Sequence, residues 1–270
     1  MESDRVAGVV RIGDPADERV ADYVRLREAT LRRTAAPVFI AEGELVIRRA
    51  IGAGYRPKSF LLSHRWADAL GEVWGRFPDV PVFVGEADVV ETVTGFHVHR
   101  GALAALWREE RYDVDVLIAG SRRLVVVQDL VDHTNLGAIA RTAAGLGWDG
   151  LLLSERSADP LYRRAVKASM GAVLSLPWAR TYDDASLLGR LHEHGFWTVA
   201  LALRDDAVDV GSVVERVGRG KVAVLLGTEG HGLSADWIRG ARLVARIPMS
   251  AGVDSLNVAA AAAIGCYVLR

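Results

Sequence analysis

The stretch LVVVQDLVDHTNLGAIARTAAGLG, residues 124–147, decides the fold class. It opens with a continuous apolar run, which is typical of a strand buried on both faces of a parallel sheet. Small and apolar residues follow at helical spacing, and they predict a helix over 136–146. A buried strand that leads directly into a helix predicts an α/β fold. In such folds, ligands bind at the carboxyl ends of the strands, which is where Asn135 lies.

The same alternation continues toward the C-terminus and predicts a larger α/β domain. The predicted strands are 150–154, 172–176, 197–203, 221–227 and 243–249. The predicted helices are 159–169, 184–194, 234–239 and 255–269.

The first half of the chain predicts a separate, smaller α/β domain that ends near Trp107. Its predicted elements are a helix over 17–33, a strand over 37–43, a helix over 43–53, a strand over 59–63, a helix over 64–77, a strand over 80–85, a helix over 86–93 and a strand over 102–106. The charged segment 108–115 has weak periodicity, and it is interpreted as a linker.

Composition narrows the class of protein without naming a partner. The net charge is -1, from 33 basic and 34 acidic residues, so the balance alone does not indicate a nucleic-acid binder. The single cysteine, Cys266, excludes a disulfide framework within the chain. There is no apolar run of membrane-spanning length and no apolar signal segment at the start. These features favour a cytoplasmic protein that does not enter a membrane.

Three stretches carry candidate functional residues. In the first, Asn135 can cap the following helix, and Arg141 is a single charge among small apolar neighbours. The second, LLGTEGHGLS at 225–234, follows an apolar strand but has neither the phosphate-loop ending nor the dinucleotide-binding spacing. Its glycines allow close approach to a ligand, and Glu229 is interpreted as an anchor or cap.

The third stretch, IPMSAGVDSLNVAAAAAIGCY at 247–267, ends a strand and begins the last helix. Either Ser255 or Asn257 can cap that helix. Its run of alanines indicates close packing, in the core or against another subunit.

Together and in this order, the three stretches resemble the motifs of the SpoU, or TrmH-type, RNA 2′-O-ribose methyltransferases of the SPOUT superfamily. The pattern N-x-G-A-I-x-R-T-A is met by residues 135–143, and G-x-E-x-x-G-[IL] is met by residues 227–233. The pattern I-P-M, followed by S-L-N-V-x-x-A, is met within residues 247–261. The resemblance covers roughly residue 124 to the C-terminus.

The resemblance implies a fold, a cofactor and a domain plan. It implies a C-terminal SPOUT domain over 117–270 with a deep trefoil knot and S-adenosylmethionine bent within it. By position, Gly227, Ile247 and Leu256 would line the cofactor pocket, with Met249 nearby. Residues 1–110 resemble, more loosely, an L30e-like RNA substrate-binding domain.

The resemblance also implies the catalytic set Arg141, Asn135, Glu229, Ser255 and Asn257, with no metal. Attack of a ribose 2′-oxygen on a methyl group requires an in-line arrangement and removal of a proton. Proposals for this family give the base role to the arginine, yet a guanidinium stays protonated in nearly all protein settings. Arg141 is therefore interpreted as placing phosphate and ribose and stabilising negative charge, and its use as a base is left open.

The expected function is 2′-O-methylation of RNA by a homodimer, with ribosomal RNA favoured because a separate N-terminal domain is present. Transfer RNA and an inactive RNA-binding relative are the alternatives, and the intact site residues argue against the second. A nicotinamide-dependent Rossmann enzyme is a third, and the missing G-x-G-x-x-G argues against it. The nucleotide that is modified cannot be read from the sequence.

Overall fold

In the computed structural model, the chain is described for residues 8–26, 37–95, 101–109, 111–228, 230–250 and 255–270. The strands are β1 Val9–Arg11, β2 Val38–Glu42, β3 Pro57–Ser63, β4 Val82–Gly85, β5 Ala102–Trp107, β6 Arg123–Val127, β7 Gly150–Leu153, β8 Trp178–Arg180, β9 Phe196–Leu201, β10 Val208–Asp209, β11 Lys221–Leu226 and β12 Leu243–Arg246. The helices are α1 Glu44–Gly52, α2 His64–Ala69, α3 Gly71–Trp74, α4 Ala87–Thr94, α5 Val114–Gly120, α6 His133–Gly145, α7 Arg163–Ala168, α8 Asp184–Glu193, α9 Val210–Val217, α10 Ala235–Gly240 and α11 Val258–Val268, with 3₁₀ helices at Glu18–Leu26 and Ala172–Leu174.

Contacts divide the chain into two compact units, one of residues 1–109 with 161–174 and the other of residues 110–160 with 175–270. The first unit contains a five-stranded sheet in the order β1-β4-β3-β5-β2, in which β5 runs antiparallel to both of its neighbours. Tyr23 is buried and joins the first 3₁₀ helix to this sheet. Its hydroxyl donates to the carbonyl oxygen of Ser59 at 2.8 Å and accepts from the backbone N–H of Ala105 at 3.0 Å.

A segment from the second half of the sequence, residues 161–174, packs within the first unit. Arg163 and Lys167 of α7 form ion pairs with Glu42 at the end of β2, at 3.2 and 3.8 Å. Arg49 of α1 donates to the carbonyl oxygen of Met170. The local sequence pattern of this segment does not indicate which sheet it joins. An apolar pattern shows that residues are buried, but it does not show which element covers them.

The second unit is built on a seven-stranded sheet in the order β10-β12-β9-β11-β6-β7-β8. Every paired strand in it runs parallel to its neighbour. The central strands β6 and β11 carry Val, Leu and Ala at positions with almost no solvent exposure, as strands covered on both faces require. This confirms the α/β class and the parallel sheet expected from residues 124–147.

Several predicted elements were wrong in place or extent. The strand predicted over 172–176 is a 3₁₀ helix, Ala172–Leu174, and β8 begins only at Trp178. Val173 and Leu174 are buried, so the apolar pattern reported burial correctly while the tertiary environment set the conformation. The helix predicted over 64–77 is broken at Leu70 into α2 and α3.

The segment interpreted as a linker contains the start of α5, which is capped by Asp113 through the N–H groups of Asp115 and Val116. The first predicted helix, 17–33, forms a 3₁₀ helix over Glu18–Leu26, and residues 27–36 lie outside the described residues. Across the described ranges, no helix has the length and apolar character needed to cross a membrane.

Candidate functional site

A cavity of about 600 Å³ opens where four chain segments meet at the carboxyl edge of the seven-stranded sheet. Residues that follow β9 and β11 form two of its walls, and the end of β12 with the start of α11 forms the others. The lining is mainly aliphatic side chains and loop backbone. A cavity of this size and character suits an organic ligand with an apolar body and a few polar groups.

The glycine loop, residues 227–233, is described except for Glu229, and its two ends meet beside this cavity. Thr228 and Gly232 form an isolated antiparallel bridge, and the N–H of Gly232 donates to the carbonyl oxygen of Thr228 at 2.9 Å. A Cβ atom placed on Gly227 would lie 2.0 Å from the carbonyl carbon of Gly232 and 2.2 Å from the nitrogen of Leu233. Two backbone segments therefore pass closer together than any other residue type at position 227 permits.

All four residues expected to bind the cofactor line the cavity: Gly227, Ile247, Met249 and Leu256. They come from two stretches of the chain, the glycine loop and residues 247–256, and the fold brings these stretches together. Their role toward a cofactor remains a prediction.

Asn135 and Asn257 are joined by their side chains. Nδ2 of Asn257 donates to Oδ1 of Asn135 at 3.1 Å, which links the first and third sequence stretches. Oδ1 of Asn257 accepts from the N–H of Ala259 at 2.9 Å, so Asn257 caps α11 and resolves the choice left open with Ser255. The expectation that Asn135 caps its helix is wrong, because the cap is Asp132, whose Oδ1 accepts from the N–H of Asn135 at 2.7 Å.

The remaining expected catalytic residues are placed differently. Ser255 lines the cavity and is exposed. Arg141 is exposed on α6, two turns into the helix, and is not one of the described residues that line the cavity. Glu229 lies outside the described residues, so its predicted role stays untested.

The sequence reasoning missed three polar lining residues, Thr228, His231 and Arg246. The first two lie within the glycine loop and could have been found by treating that whole loop as a wall. Arg246 ends β12 directly before Ile247, a position with no special signal in its residue type. Cys266, the single cysteine, is fully buried, and burial raises the pKa of its thiol to about 12. The thiol therefore stays protonated and is not a nucleophile.

Comparison with known proteins identifies the family. The sequence profile of the SpoU rRNA Methylase family matches residues 122–267, which include every candidate site residue. The chain belongs to this family. The resemblance predicted from the three sequence stretches is thereby confirmed.

Relatives of the SpoU family match nearly the whole chain. An uncharacterized tRNA/rRNA methyltransferase of Mycobacterium tuberculosis is 39% identical over 258 residues, covering 94% of this chain and 89% of the relative. The crystal structure of an AdoMet-bound rRNA methyltransferase from Sinorhizobium meliloti is 26% identical, with a TM-score of 0.83 over 97% of this chain and 98% of that one. A crystal structure described as an RNA 2′-O ribose methyltransferase is 25% identical, with a TM-score of 0.75 over 96% of this chain and 98% of that one.

These comparisons indicate the general class of the function and its cofactor. SpoU members are RNA methyltransferases, and S-adenosylmethionine is the cofactor bound in a solved relative, as expected from the sequence. The similarity to that structure extends over 97% of the chain, so both units have counterparts in its fold.

Proposed function

We propose that this chain transfers a methyl group from S-adenosylmethionine to a ribose 2′-hydroxyl of ribosomal RNA. One observation carries the proposal: the cavity that contains the four expected cofactor residues is bordered by Asn257, whose side chain is bonded to Asn135. A cofactor compartment and a polar pair suited to holding a substrate therefore adjoin. The solved relatives described as an rRNA methyltransferase and as an RNA 2′-O ribose methyltransferase support the choice of RNA and of the ribose oxygen.

The residues present suit S-adenosylmethionine. Leu201, Leu226 and Ile247 offer apolar surface for a flat adenine ring, and the glycine loop presents backbone groups at close range. Backbone N–H and C=O groups can recognise the edge of a base without any charged side chain. When bound, this cofactor supplies an electrophilic methyl group on a sulfonium.

The chain's own residues would place the nucleophile. The bonded pair of Asn135 and Asn257 holds two carboxamides at the cavity edge, where they fix the direction of a ribose hydroxyl. Arg141, exposed on α6, is free of the cavity wall and suited to hold an RNA phosphate through its planar fork. In the reaction, a bond forms between the 2′-oxygen and the methyl carbon while the carbon–sulfur bond breaks. The hydroxyl proton leaves to a base or to water.

We also infer the trefoil knot, in the unit that contains residues 175–270. β12 lies between β9 and β10 although it follows both in the chain, and α11 then packs against α6 near the start of the unit. Such a return path, together with the backbone contact at Gly227, supports threading of the last segment through an earlier loop. The smaller unit remains our candidate for the RNA-binding domain.

A methylation assay tests the proposal. The protein is incubated with labelled S-adenosylmethionine and, separately, with ribosomal RNA and transfer RNA that lack the modification. We expect label in ribosomal RNA at a linkage that resists alkali, because a 2′-O-methyl ribose lacks the hydroxyl that attacks the phosphodiester. Label in transfer RNA alone would change the substrate, and label at an alkali-sensitive linkage would overturn the ribose assignment.

A further inference from the structure

The chain contains only three side-chain carboxamides, two within residues 124–147 and one within residues 247–267. They are Asn135, Asn257 and Gln128, the single glutamine in 270 residues. Asn135 and Asn257 are bonded to each other, whereas Gln128 follows β6 and belongs to none of the three sequence patterns.

Gln128 binds both ends of the glycine loop. Its backbone N–H donates to the carbonyl oxygen of Leu226 at 2.8 Å, directly before the loop. Its side chain meets Ser234, directly after the loop, through two hydrogen bonds. The N–H of Ser234 donates to Oε1 at 2.8 Å, and Nε2 donates to Oγ of Ser234 at 3.0 Å.

The contact is sheltered and is part of a larger arrangement. Gln128 is 9% exposed, so its bonds to Ser234 face little competition from water. Oγ of Ser234 also accepts from the N–H of Trp237 at 3.3 Å, which caps α10. One carboxamide thus fixes the loop base to the first turn of the following helix.

We propose that Gln128 is a positioning residue that holds the glycine loop in the conformation that binds S-adenosylmethionine. The inference rests on the proposed function, since the loop lines the cavity assigned to that cofactor. A glycine-rich segment is conformationally free when released, and a ligand that requires one conformation binds more weakly when that conformation is only partly populated. Gln128 does not touch the cavity among the described residues, so it acts through the loop.

The test compares Gln128→Met, Ser234→Ala and the double variant in the full-length protein. Methionine keeps the length of glutamine and removes both side-chain hydrogen bonds. Each single substitution is expected to raise the Kd for S-adenosylmethionine by about tenfold, as measured by calorimetry. Ser234→Ala removes the bond from Nε2 and the cap of α10 but keeps the backbone N–H that donates to Oε1. The loss of affinity in the double variant is expected to be smaller than the sum of the two single losses, because both substitutions remove the bond from Nε2 to Oγ. Hydrogen exchange in the ligand-free loop is expected to accelerate in Gln128→Met.

Asp183→Ala is the matched control for Ser234→Ala. Asp183 caps α8 through the N–H of Ser186 at 3.2 Å and does not line the cavity, so its loss is expected to lower Tm without changing Kd. A folded Gln128→Met protein with the wild-type Kd overturns the inference while the proposed function stands. Additive losses in the double variant also overturn it. A wild-type protein that does not bind S-adenosylmethionine overturns both.

Discussion

At the scale of single residues, Arg141 separates RNA positioning from cofactor binding. It is exposed on α6 and contributes nothing to the described cavity wall, so Arg141→Ala is expected to leave the Kd for S-adenosylmethionine unchanged. Methyl transfer is expected to fall a hundredfold or more, since a charged transition-state contact contributes roughly 3–4 kcal/mol. Arg141→Lys is expected to fail as well, because an ammonium cannot reproduce the planar fork.

The measurement for Arg141 is methyl transfer to RNA, beside cofactor affinity and a melting curve. Arg216→Ala, at an exposed arginine of α9, controls for the loss of a positive charge from a helix surface. Near wild-type turnover by a folded Arg141→Ala protein would refute the assignment. A loss of cofactor affinity would make Arg141 a structural anchor instead.

Asn257 has two separable roles, because one atom caps a helix and another meets Asn135. Asn257→Asp keeps the oxygen that accepts from Ala259 and loses the donor, so stability should hold while turnover falls. Asn257→Ala loses both and should also lower the free energy of unfolding by about 1 kcal/mol. Urea unfolding and methyl transfer, measured on both variants, separate the capping role of Asn257 from the role of its bond to Asn135. Wild-type turnover in Asn257→Asp would show that the bond to Asn135 does not matter for catalysis.

At the scale of elements, the glycine loop tolerates no side chain at its base. Gly227→Ala would place a Cβ about 2 Å from backbone atoms of Gly232 and Leu233, and backbone cannot yield as a flexible side chain can. We expect loss of cofactor binding and a clear drop in Tm.

The control is Gly189→Ala in the exposed middle of α8, where a Cβ meets nothing within 4 Å. That substitution should stabilise the protein by about 0.5–1 kcal/mol. Equal melting temperatures for the two variants would contradict this account.

Some of these elements could be predicted from the sequence, and others could not. The parallel sheet was expected because buried strands leave a local signal. The gathering of Gly227, Ile247 and Leu256 was expected only from the resemblance to the SpoU family. Helix α9 was missed although Asp209 caps it and Val210, Val213 and Val217 follow a helical period, so its signal was present. β10, with two residues, was too short to leave one.

Long-range hydrogen bonds were beyond reach for a different reason. The contact between Gln128 and Ser234 joins residues 106 positions apart, and no local pattern encodes it. The composition did contain one relevant feature. Gln128 is the single glutamine of a chain that has only two asparagines, and it lies within residues 124–147.

At the scale of the whole molecule, every described residue of the cavity wall belongs to the unit formed by 110–160 and 175–270. A fragment that begins at Arg111, before the cap of α5, is therefore expected to bind S-adenosylmethionine. It should melt below the full-length protein, because the fragment keeps Ala165, Val166 and Val173, which are buried in the smaller unit, but lacks residues 1–109 of that unit. Calorimetry that gives no heat from a folded fragment would show that the smaller unit contributes to the cavity.

Self-association is the last expectation, and it depends on the final helix. α11 has no charged residue, and its Ala260, Ala263, Ile264 and Tyr267 fall at the spacing of one helix face. Tyr267 is 57% exposed, and the other three are exposed or half-buried. An apolar helix face of this kind on a water-exposed surface is typical of a contact between subunits. A two-fold pairing would bury the face against its own copy, because the same patch then serves both subunits.

Light scattering is expected to give twice the chain mass of 29.2 kDa. Ala263→Arg should shift the mass toward the monomer, whereas Val116→Arg, at a 67% exposed position on α5, should leave it unchanged. A monomer mass for the wild-type protein at micromolar concentration would refute the dimer, and a dimer that survives Ala263→Arg would place its interface elsewhere.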